Sequence, residues 1–269
     1  DKTMRDKLFQ ITLLAAGSFA LQCAALADDA GNFSTTVAIG AEYTTGSYGT
    51  EYDFEDTYVP LSAVVSGDKM SFRVTVPYLS VYAPEGTIYD PDGVPIPGTG
   101  EMTTESGIGD ILASLTVYDV LRSERHRIAV DLTGKVKFGT ADEEVGLGTG
   151  ETDFSVQADA FKFADKTTFI ASLGYRFRGE PEGVVLDDSM FAAIGMTYRL
   201  TPELRGGLFY DYRQASFADN EDSQEVSAFL SRQLNDGWRI QAYVLAGMSD
   251  GSPDFGGGFM VKKALTRRN

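Results

Sequence analysis

Cysteine and histidine are almost absent from this chain of 269 residues, which has one of each. A disulfide framework is therefore impossible within the chain, and so is a metal site that needs two cysteine or two histidine ligands. The mean hydropathy of −0.14 excludes a multi-helix membrane protein. Basic residues are scarce, with 23 against 39 acidic residues, and the net charge of −16 argues against binding to a nucleic-acid backbone.

The first residues have the layout of a secretory signal peptide. Basic residues precede a mostly apolar stretch over 8–20, and Ala25-Leu26-Ala27 has the small-x-small pattern of a cleavage site. We therefore expect residues 1–27, with the residues ahead of the first methionine, to be a signal peptide. Residues 28–269 would form the mature domain outside the cytoplasm. A retained anchor helix is one alternative, which the cleavage pattern disfavours. Lipid attachment through Cys23 is another, which the large polar Gln22 before it disfavours.

After this segment, apolar residues alternate with small or polar ones, which is typical of β-strands. In one run, Phe169, Leu173 and Phe177 share one parity, and Ser172 and Arg176 share the other. Glycine and aromatic residues are abundant, with 29 Gly, 13 Tyr and 17 Phe. The predicted strands lie near 33–47, 53–66, 70–82, 108–121, 127–139, 152–164, 167–178, 188–200, 203–217, 223–234, 238–249 and 254–265.

The connections between these runs alternate in length. Tight turns such as 67–69 and 164–166 follow the even-numbered runs, whereas the odd-numbered runs are mostly followed by longer loops, of which 83–106 is the longest. Short turns on one rim and long loops on the other are typical of outer-membrane barrels. The predicted fold is all-β: a single transmembrane antiparallel up-and-down β-barrel of about twelve strands, with short periplasmic turns and longer acidic extracellular loops.

Charge and aromatic placement agree with this prediction. Acidic residues such as Asp142 and Glu143 concentrate in the long loops, and the apolar parity is almost free of charge, as lipid exposure requires. Aromatic residues near the run ends, Trp238 among them, fit the two membrane interfaces. Phe161 and Phe163 break the alternation, either through a bulge or by facing inward. A soluble β-sandwich is the alternative fold, but it seldom has such one-sided loop acidity.

Several glycine-rich segments resemble a known family. They are Gly107-Ile108-Gly109-Asp110, Gly146-Leu147-Gly148-Thr149-Gly150-Glu151-Thr152-Asp153-Phe154, Gly174-Tyr175-Arg176-Phe177-Arg178-Gly179, Tyr198-Arg199-Leu200 and Gly207-Leu208-Phe209-Tyr210-Asp211-Tyr212-Arg213. Together, over roughly 107–261, they are similar to the outer-membrane channel family named for the meta-pathway of phenol degradation. The resemblance implies a twelve-stranded monomeric channel that takes up small, often hydrophobic or aromatic, molecules.

If the apolar parity faces lipid, the other parity faces inward, and its charged residues would line the lumen. The lumen is narrow in a barrel of about a dozen strands. We expect them to set the field of a mildly cation-repelling constriction beneath an acidic mouth. The alternative is that they pair across strands and fill a closed lumen. The predicted pore-lining residues are Glu42, Arg73, Asp110, Asp131, Lys135, Lys137, Asp159, Arg176, Arg178, Arg199, Arg205, Asp211, Arg213 and Arg239.

The predicted function is passive uptake of small molecules, with no catalytic residues, no metal and no cofactor. The expected partners are the lipid bilayer, lipopolysaccharide, small solutes and the barrel-assembly machinery, but no nucleic acid. A non-conducting structural or adhesion barrel acting through its extracellular loops is the main alternative. A lipid-modifying enzyme is disfavoured because the only histidine, His126, lies in a predicted periplasmic turn. The acidic loops either bind divalent cations that bridge to lipopolysaccharide or are simply solvated.

Overall fold

The computed structural model describes residues 13–15, 18–20, 33–89, 93–181, 185–217 and 220–265. Over this part of the chain it consists of antiparallel strands joined by turns and loops, with one short 3-10 turn at Asn235–Gly237. The wall strands are β1 (Ser34–Gly46), β2 (Phe54–Ser66), β3 (Met70–Pro84), β4 (Met102–Ile108 and Ile111–Ser123), β5 (Ile128–Phe138), β6 (Asp153–Ala164), β7 (Thr167–Phe177), β8 (Ser189–Arg199), β9 (Leu204–Arg213), β10 (Ser223–Gln233), β11 (Trp238–Gly247) and β12 (Phe255–Ala264).

The strands close into a barrel. Each strand from β1 to β12 pairs with its neighbours in sequence, and β12 pairs back onto β1, with Phe255 opposite Thr45 and Ala264 opposite Thr36. Closure gives each wall strand a hydrogen-bonded neighbour on both sides, which is what a backbone needs in hydrocarbon, whereas the segment Met102–Ile108 pairs on one side, with β3. The predicted twelve-stranded antiparallel barrel is therefore confirmed.

The fourth strand differs from its prediction. It begins at Met102 rather than near residue 108, and both of its segments pair with β3, on either side of a break at Gly109 and Asp110. At the break, the Gly109 N–H donates to the Pro77 carbonyl oxygen at 2.9 Å. The longest extracellular loop is consequently 85–101, shorter than the predicted 83–106. Strand β9 also ends earlier than predicted, at Arg213.

The alternation of side chains across the wall follows the predicted parity. On β7, Phe169, Leu173 and Phe177 are exposed on the outer face, whereas Ser172 and Arg176 are buried on the inner face. The outer face is thus a broad apolar surface, since side chains of a strand alternate with a period of two. No helix in the described ranges is long and apolar enough to cross a membrane.

Glycine faces an aromatic ring across several strand pairs of the inner wall. A Cβ atom on Gly195 would lie only 2.1 Å from Cδ1 of Phe209. The Phe209 and Phe229 rings stack with their centroids 6.1 Å apart. The missing side chains therefore give the rings room close to the wall. These cross-strand pairs are Gly174 with Phe191, Gly195 with Phe209, Gly207 with Phe229 and Gly258 with Tyr243.

Phe161 and Phe163 face inward, which decides between the two predicted explanations of their parity. The pairing of β6 with β7 runs without a register shift, so no bulge lies there. Phe161 packs in one apolar cluster with residues from distant strands, including Ala38 of β1 and Phe209 of β9. Aromatic side chains therefore reach into the lumen from several sides and narrow it.

The predicted signal peptide lies almost wholly outside the described residues. Within it, the structure gives two three-residue strands, Leu13–Ala15 and Ser18–Ala20, which pair with each other. The cleavage site after Ala27 and the residue Cys23 fall outside the description, so the division at residues 27 and 28 stays a prediction. The basic tail at 266–269 also lies outside it.

Candidate functional site: the charged lumen

The predicted pore-lining residues all occur on the inward side of the wall or immediately beside it. None is on the exposed apolar face, and most are buried or half-buried. Asp110 lies at the break of β4 and Arg178 just beyond the end of β7. The inward set is Glu42, Arg73, Asp110, Asp131, Lys135, Lys137, Asp159, Arg176, Arg178, Arg199, Arg205, Asp211, Arg213 and Arg239. Their role in conduction stays a prediction.

Lys137 on β5 organises one side of the extracellular half. Its Nζ lies 2.6 Å from Oδ2 of Asp110 and 3.5 Å from Oδ2 of Asp153. It also donates to the Glu151 carbonyl oxygen at 2.9 Å. One ammonium group is thus held by two carboxylates and a backbone carbonyl, in a setting where an isolated charge would be costly.

Three of the glycine-rich segments noted in the sequence meet around this lysine. Asp110, from the first segment, accepts hydrogen bonds at Oδ1 from the backbone N–H groups of Thr140 (2.9 Å) and Ala141 (2.8 Å). Asp153, from the second, accepts at Oδ1 from the Gly179 N–H at 2.9 Å. Carboxylates from two of these segments and a backbone N–H group from a third therefore anchor neighbouring extracellular loops.

The opposite side of the lumen carries a second ionic group. Arg213 on β9 forms an ion pair with Glu225 on β10, and its Nη2 also donates to Oγ of Ser223 at 2.6 Å. Asp211 lies directly opposite Glu225 in the β9–β10 register and is also buried. Glu42 of β1 accepts a hydrogen bond from the Tyr243 hydroxyl. Carboxylates therefore outnumber cations on this side.

The 85–101 loop folds back over the lumen. Ile88–Tyr89 and Pro95–Ile96 form a small strand pair within it, and Tyr89 and Val94 are buried. The Tyr89 hydroxyl donates to Oδ1 of Asp56 on the inner wall at 3.0 Å. This bond ties the loop to the barrel, as an inward-folded plug would require.

A cavity of about 160 Å³ lies beneath this loop. Tyr89 and Val94 of the loop and Leu147 of the β5–β6 loop form its cover. Its wall is largely apolar, with Glu42, Asp56, Asp110, Lys137 and Arg213 among its polar residues. A predominantly apolar cavity with a few charged groups is the usual composition of a small-molecule site.

The Tyr89 hydroxyl stays protonated at this position, so it remains a hydrogen-bond donor. Burial, followed by the charge and the hydrogen bond of Asp56, raises the pKa of Tyr89 above its ordinary value. The raised pKa favours the neutral form, which alone can donate the hydrogen bond to the carboxylate. The loop attachment therefore survives alkaline conditions that ionise an exposed tyrosine.

Other predicted residues support the wall itself. Asp159 accepts hydrogen bonds at Oδ1 from Gln157 (2.7 Å) and Ser172 (2.6 Å). The Arg176 guanidinium lies over the Phe191 ring at 5.8 Å from the centroid. These contacts tie the inward charged groups of Asp159 and Arg176 to neighbouring side chains of the wall.

The periplasmic half is arranged differently. Arg199 lies directly opposite Arg205, and Arg239 lies directly opposite Lys262. Arg239 donates from Nε and Nη2 to Oε1 of Gln233, at 3.0 and 2.7 Å. In the periplasmic halves of strands β8 to β12, no carboxylate occupies an inward position.

The sequence-based set omitted several inward charged residues. Glu225 and Lys262 lie on the inward parity of β10 and β12, so the same alternation would have identified them. Asp56 and Asp153 also lie on the inward parity, at the extracellular ends of β2 and β6. Tyr89 carries no periodic signal, because the fold of its loop depends on contacts distant in sequence.

His126 lies in the exposed turn after β4, at the periplasmic end. It is far in the fold from the extracellular carboxylates of the lumen. Among the residues that the structure describes, no three or more His, Cys, Asp or Glu side chains are grouped in a way that could hold a metal ion.

No family model matches the chain, and no curated protein matches its sequence. Solved structures do share its fold. An outer membrane channel from Pseudomonas putida F1 superposes with a TM-score of 0.69 at 13% identity, over 88% of this chain and 100% of the channel. The KdgM porin superposes with a TM-score of 0.55 at 8% identity, over 86% of this chain and 99% of the porin.

The closed barrel, its apolar outer face and its charged lumen define an integral β-barrel of the bacterial outer membrane. More particularly, its fold is the one found in outer-membrane channels and porins. The predicted fold class and location are therefore confirmed. Membership of the phenol-degradation channel family stays a prediction.

Proposed function

We propose that this protein is an outer-membrane channel for passive uptake of small molecules, hydrophobic or aromatic compounds among them. The observation that carries the proposal is the cavity of about 160 Å³ inside the barrel, beneath a loop that is tied to the wall by Tyr89. Solutes would enter as the 85–101 loop moves aside and would diffuse down their concentration gradient. The chain's own residues would set selectivity through lumen width and charge.

Loop replacement tests this proposal. Pro84 and Met102 are opposite each other in register, so Asn-Gly in place of residues 85–101 gives a two-residue hairpin. We expect larger single-channel currents in planar bilayers from this variant than from the wild type. A mobility shift on gels before and after boiling shows that both proteins are folded. Absence of current from both folded proteins contradicts the proposal and favours the structural or adhesion barrel.

The solute class requires an uptake measurement. Cells lacking the protein and the parent cells are compared for uptake of radiolabelled aromatic acids and hydrocarbons. Slower uptake of either class in the deletion strain, restored by the intact gene, supports a channel for that class. Equal uptake of all the compounds removes them as substrates. We further propose that the signal peptide is removed after Ala27 and that the barrel works as a monomer in contact with lipopolysaccharide.

A further inference from the structure

We infer that the cavity beneath the 85–101 loop is a binding site for an organic cation, whose ammonium group is held by Glu42 and Asp56 and whose apolar part fills the rest of the cavity. The inference rests on the proposed function, because it names the class of solute for the same lumen. It comes from the ion pairs of the cavity wall, the hydrogen bonds of the two carboxylates and the residues that surround them.

The cations of the cavity wall already have carboxylate partners. Lys137 is held between two carboxylates, and Arg213 forms an ion pair with Glu225. Glu42 and Asp56 also line the cavity, but neither forms an ion pair with any residue in the part of the chain that the structure describes. The cavity therefore has two carboxylates whose charge is not neutralised by a cation of its wall.

Each of these two carboxylates has one oxygen engaged and one oxygen left. The Tyr243 hydroxyl donates to Oε2 of Glu42, and the Tyr89 hydroxyl donates to Oδ1 of Asp56 at 3.0 Å. Both donors are neutral, so they satisfy an acceptor without removing its charge. Within the described ranges, the second oxygen of each carboxylate accepts no hydrogen bond, although Glu42 is only 6% exposed. A buried carboxylate in this state is costly unless a positive group meets it.

The two carboxylates are close enough to share one ammonium group. Glu42 of β1 is directly opposite Tyr58 of β2, and Asp56 is the next inward position along β2. Diagonal neighbours of this kind are about 7–8 Å apart in an antiparallel pair. A primary ammonium group has three N–H donors and can bridge two carboxylates at this spacing.

The rest of the cavity suits an apolar group with a single ring. Its volume is about 160 Å³, and an engineered apolar cavity of about 150 Å³ holds benzene. Leu79, Val81 and Leu147 supply apolar wall. The rings of Tyr48 and Tyr58 also line the cavity, and the faces of aromatic rings attract ammonium groups. The site therefore fits an amine whose apolar part is about the size of one ring.

Calorimetric titration of the refolded full-length protein measures binding without any current. The probes are benzylammonium, benzyl alcohol and benzoate, which share a ring and differ in charge. We expect benzylammonium to bind most tightly. Glu42→Gln and Asp56→Asn keep the shape of the side chain and an acceptor oxygen for the tyrosine. Each should weaken benzylammonium binding by about tenfold, because hydrogen bonds to charged groups are the stronger ones, and should leave the affinity for benzyl alcohol nearly unchanged.

Glu55→Gln is the matched control. Glu55 is next to Asp56 on β2 but lies on the outer face, where it accepts a hydrogen bond from the Tyr43 hydroxyl at 2.9 Å. This contact reproduces the carboxylate–tyrosine pair outside the cavity, so its neutralisation should leave all three affinities unchanged. A mobility shift on gels before and after boiling shows that every variant is folded.

The outcomes separate the inference from the proposed function. Benzylammonium current is recorded from the loop-replaced variant in a planar bilayer, and binding without such current supports the site and contradicts conduction. Benzyl alcohol binding as tightly as benzylammonium, or benzoate binding more tightly, overturns the site. Benzylammonium affinity that neither Glu42→Gln nor Asp56→Asn lowers also overturns it. Current without binding of any probe overturns the site and leaves the channel standing, and absence of both current and binding overturns the two together.

Discussion

In the extracellular half of the lumen, cations lie beside carboxylates, as Lys137 does with Asp110 and Asp153. In the periplasmic half, Arg199 lies directly opposite Arg205. A buried ion pair with further hydrogen bonds holds neighbouring strands and loops in place. A pair of like charges directly opposite each other does the opposite, because the two side chains repel each other. The difference indicates that charge pairing holds the first half together, whereas the second half carries a repulsion between neighbouring like charges.

The largest expected effect is on the closed half. Lys137→Met leaves the carboxylates of Asp110 and Asp153 buried without their cation, and removing one partner of a buried pair costs about 3–5 kcal/mol. Urea unfolding of the refolded protein, followed by the fluorescence of its single tryptophan, gives this loss. Lys166→Met, in an exposed turn, is the control and should change stability by less than about 0.5 kcal/mol. Equal losses in the two variants would contradict the structural role of Lys137.

A smaller effect is expected where glycine gives room to an aromatic ring. A Cβ on Gly195 would lie 2.1 Å from the Phe209 ring, so Gly195→Ala forces that ring into the lumen. Such overpacking costs about 1–3 kcal/mol. In the loop-replaced background it should also lower the single-channel current. Gly134→Ala is the matched control because a Cβ there meets nothing within 4 Å, and current unchanged by Gly195→Ala would place the ring outside the conduction path.

Tyr89→Phe is expected to act on the loop alone. The variant keeps the ring in place but removes the donor to Asp56, which costs about 1–3 kcal/mol for the buried acceptor. We expect more frequent channel opening, recorded in planar bilayers, with little change in global unfolding. Ile88→Ser, in the same strand pair but exposed, should leave opening unchanged.

The wild-type protein provides a pH test of the same contact. Because the pKa of Tyr89 is raised above 10.0, the loop should stay closed when the pH passes 10. An opening transition at the ordinary phenol pKa, absent from Tyr89→Phe, would show that the tyrosine is exposed to solvent in the working channel.

The direction of each side chain could be predicted from the sequence, because a strand alternates with a period of two. That rule placed Arg176 and Asp159 on the inner wall, and it would have placed Glu225 and Lys262 there as well. It could not show which charges meet. Asp110 reaches Lys137 only because β4 breaks beside it, and no periodic signal marks that break.

Loop structure was less predictable for the same reason. Tyr89 and Asp56 are 33 residues apart, and their hydrogen bond depends on how the 85–101 loop folds. Proline and glycine in that loop are compatible with more than one loop conformation, so the sequence alone does not select this one. Likewise, the abundance of glycine and aromatic residues was visible in the composition, whereas their pairing across strands required the register of β8 with β9 and of β9 with β10.

The smallest expected effect has the opposite sign. Arg199→Gln removes one member of a like-charged pair, so it should stabilise the barrel by a few tenths of a kcal/mol, in contrast to the loss at Lys137. Urea unfolding at low and at high salt measures it, because the gain should shrink when salt screens the repulsion between Arg199 and Arg205. Arg232→Gln, on the outer face of β10, should give no such salt-dependent gain. Destabilisation by Arg199→Gln at both salt concentrations would show that Arg199 supports the wall, and the contrast between the two halves of the lumen would then disappear.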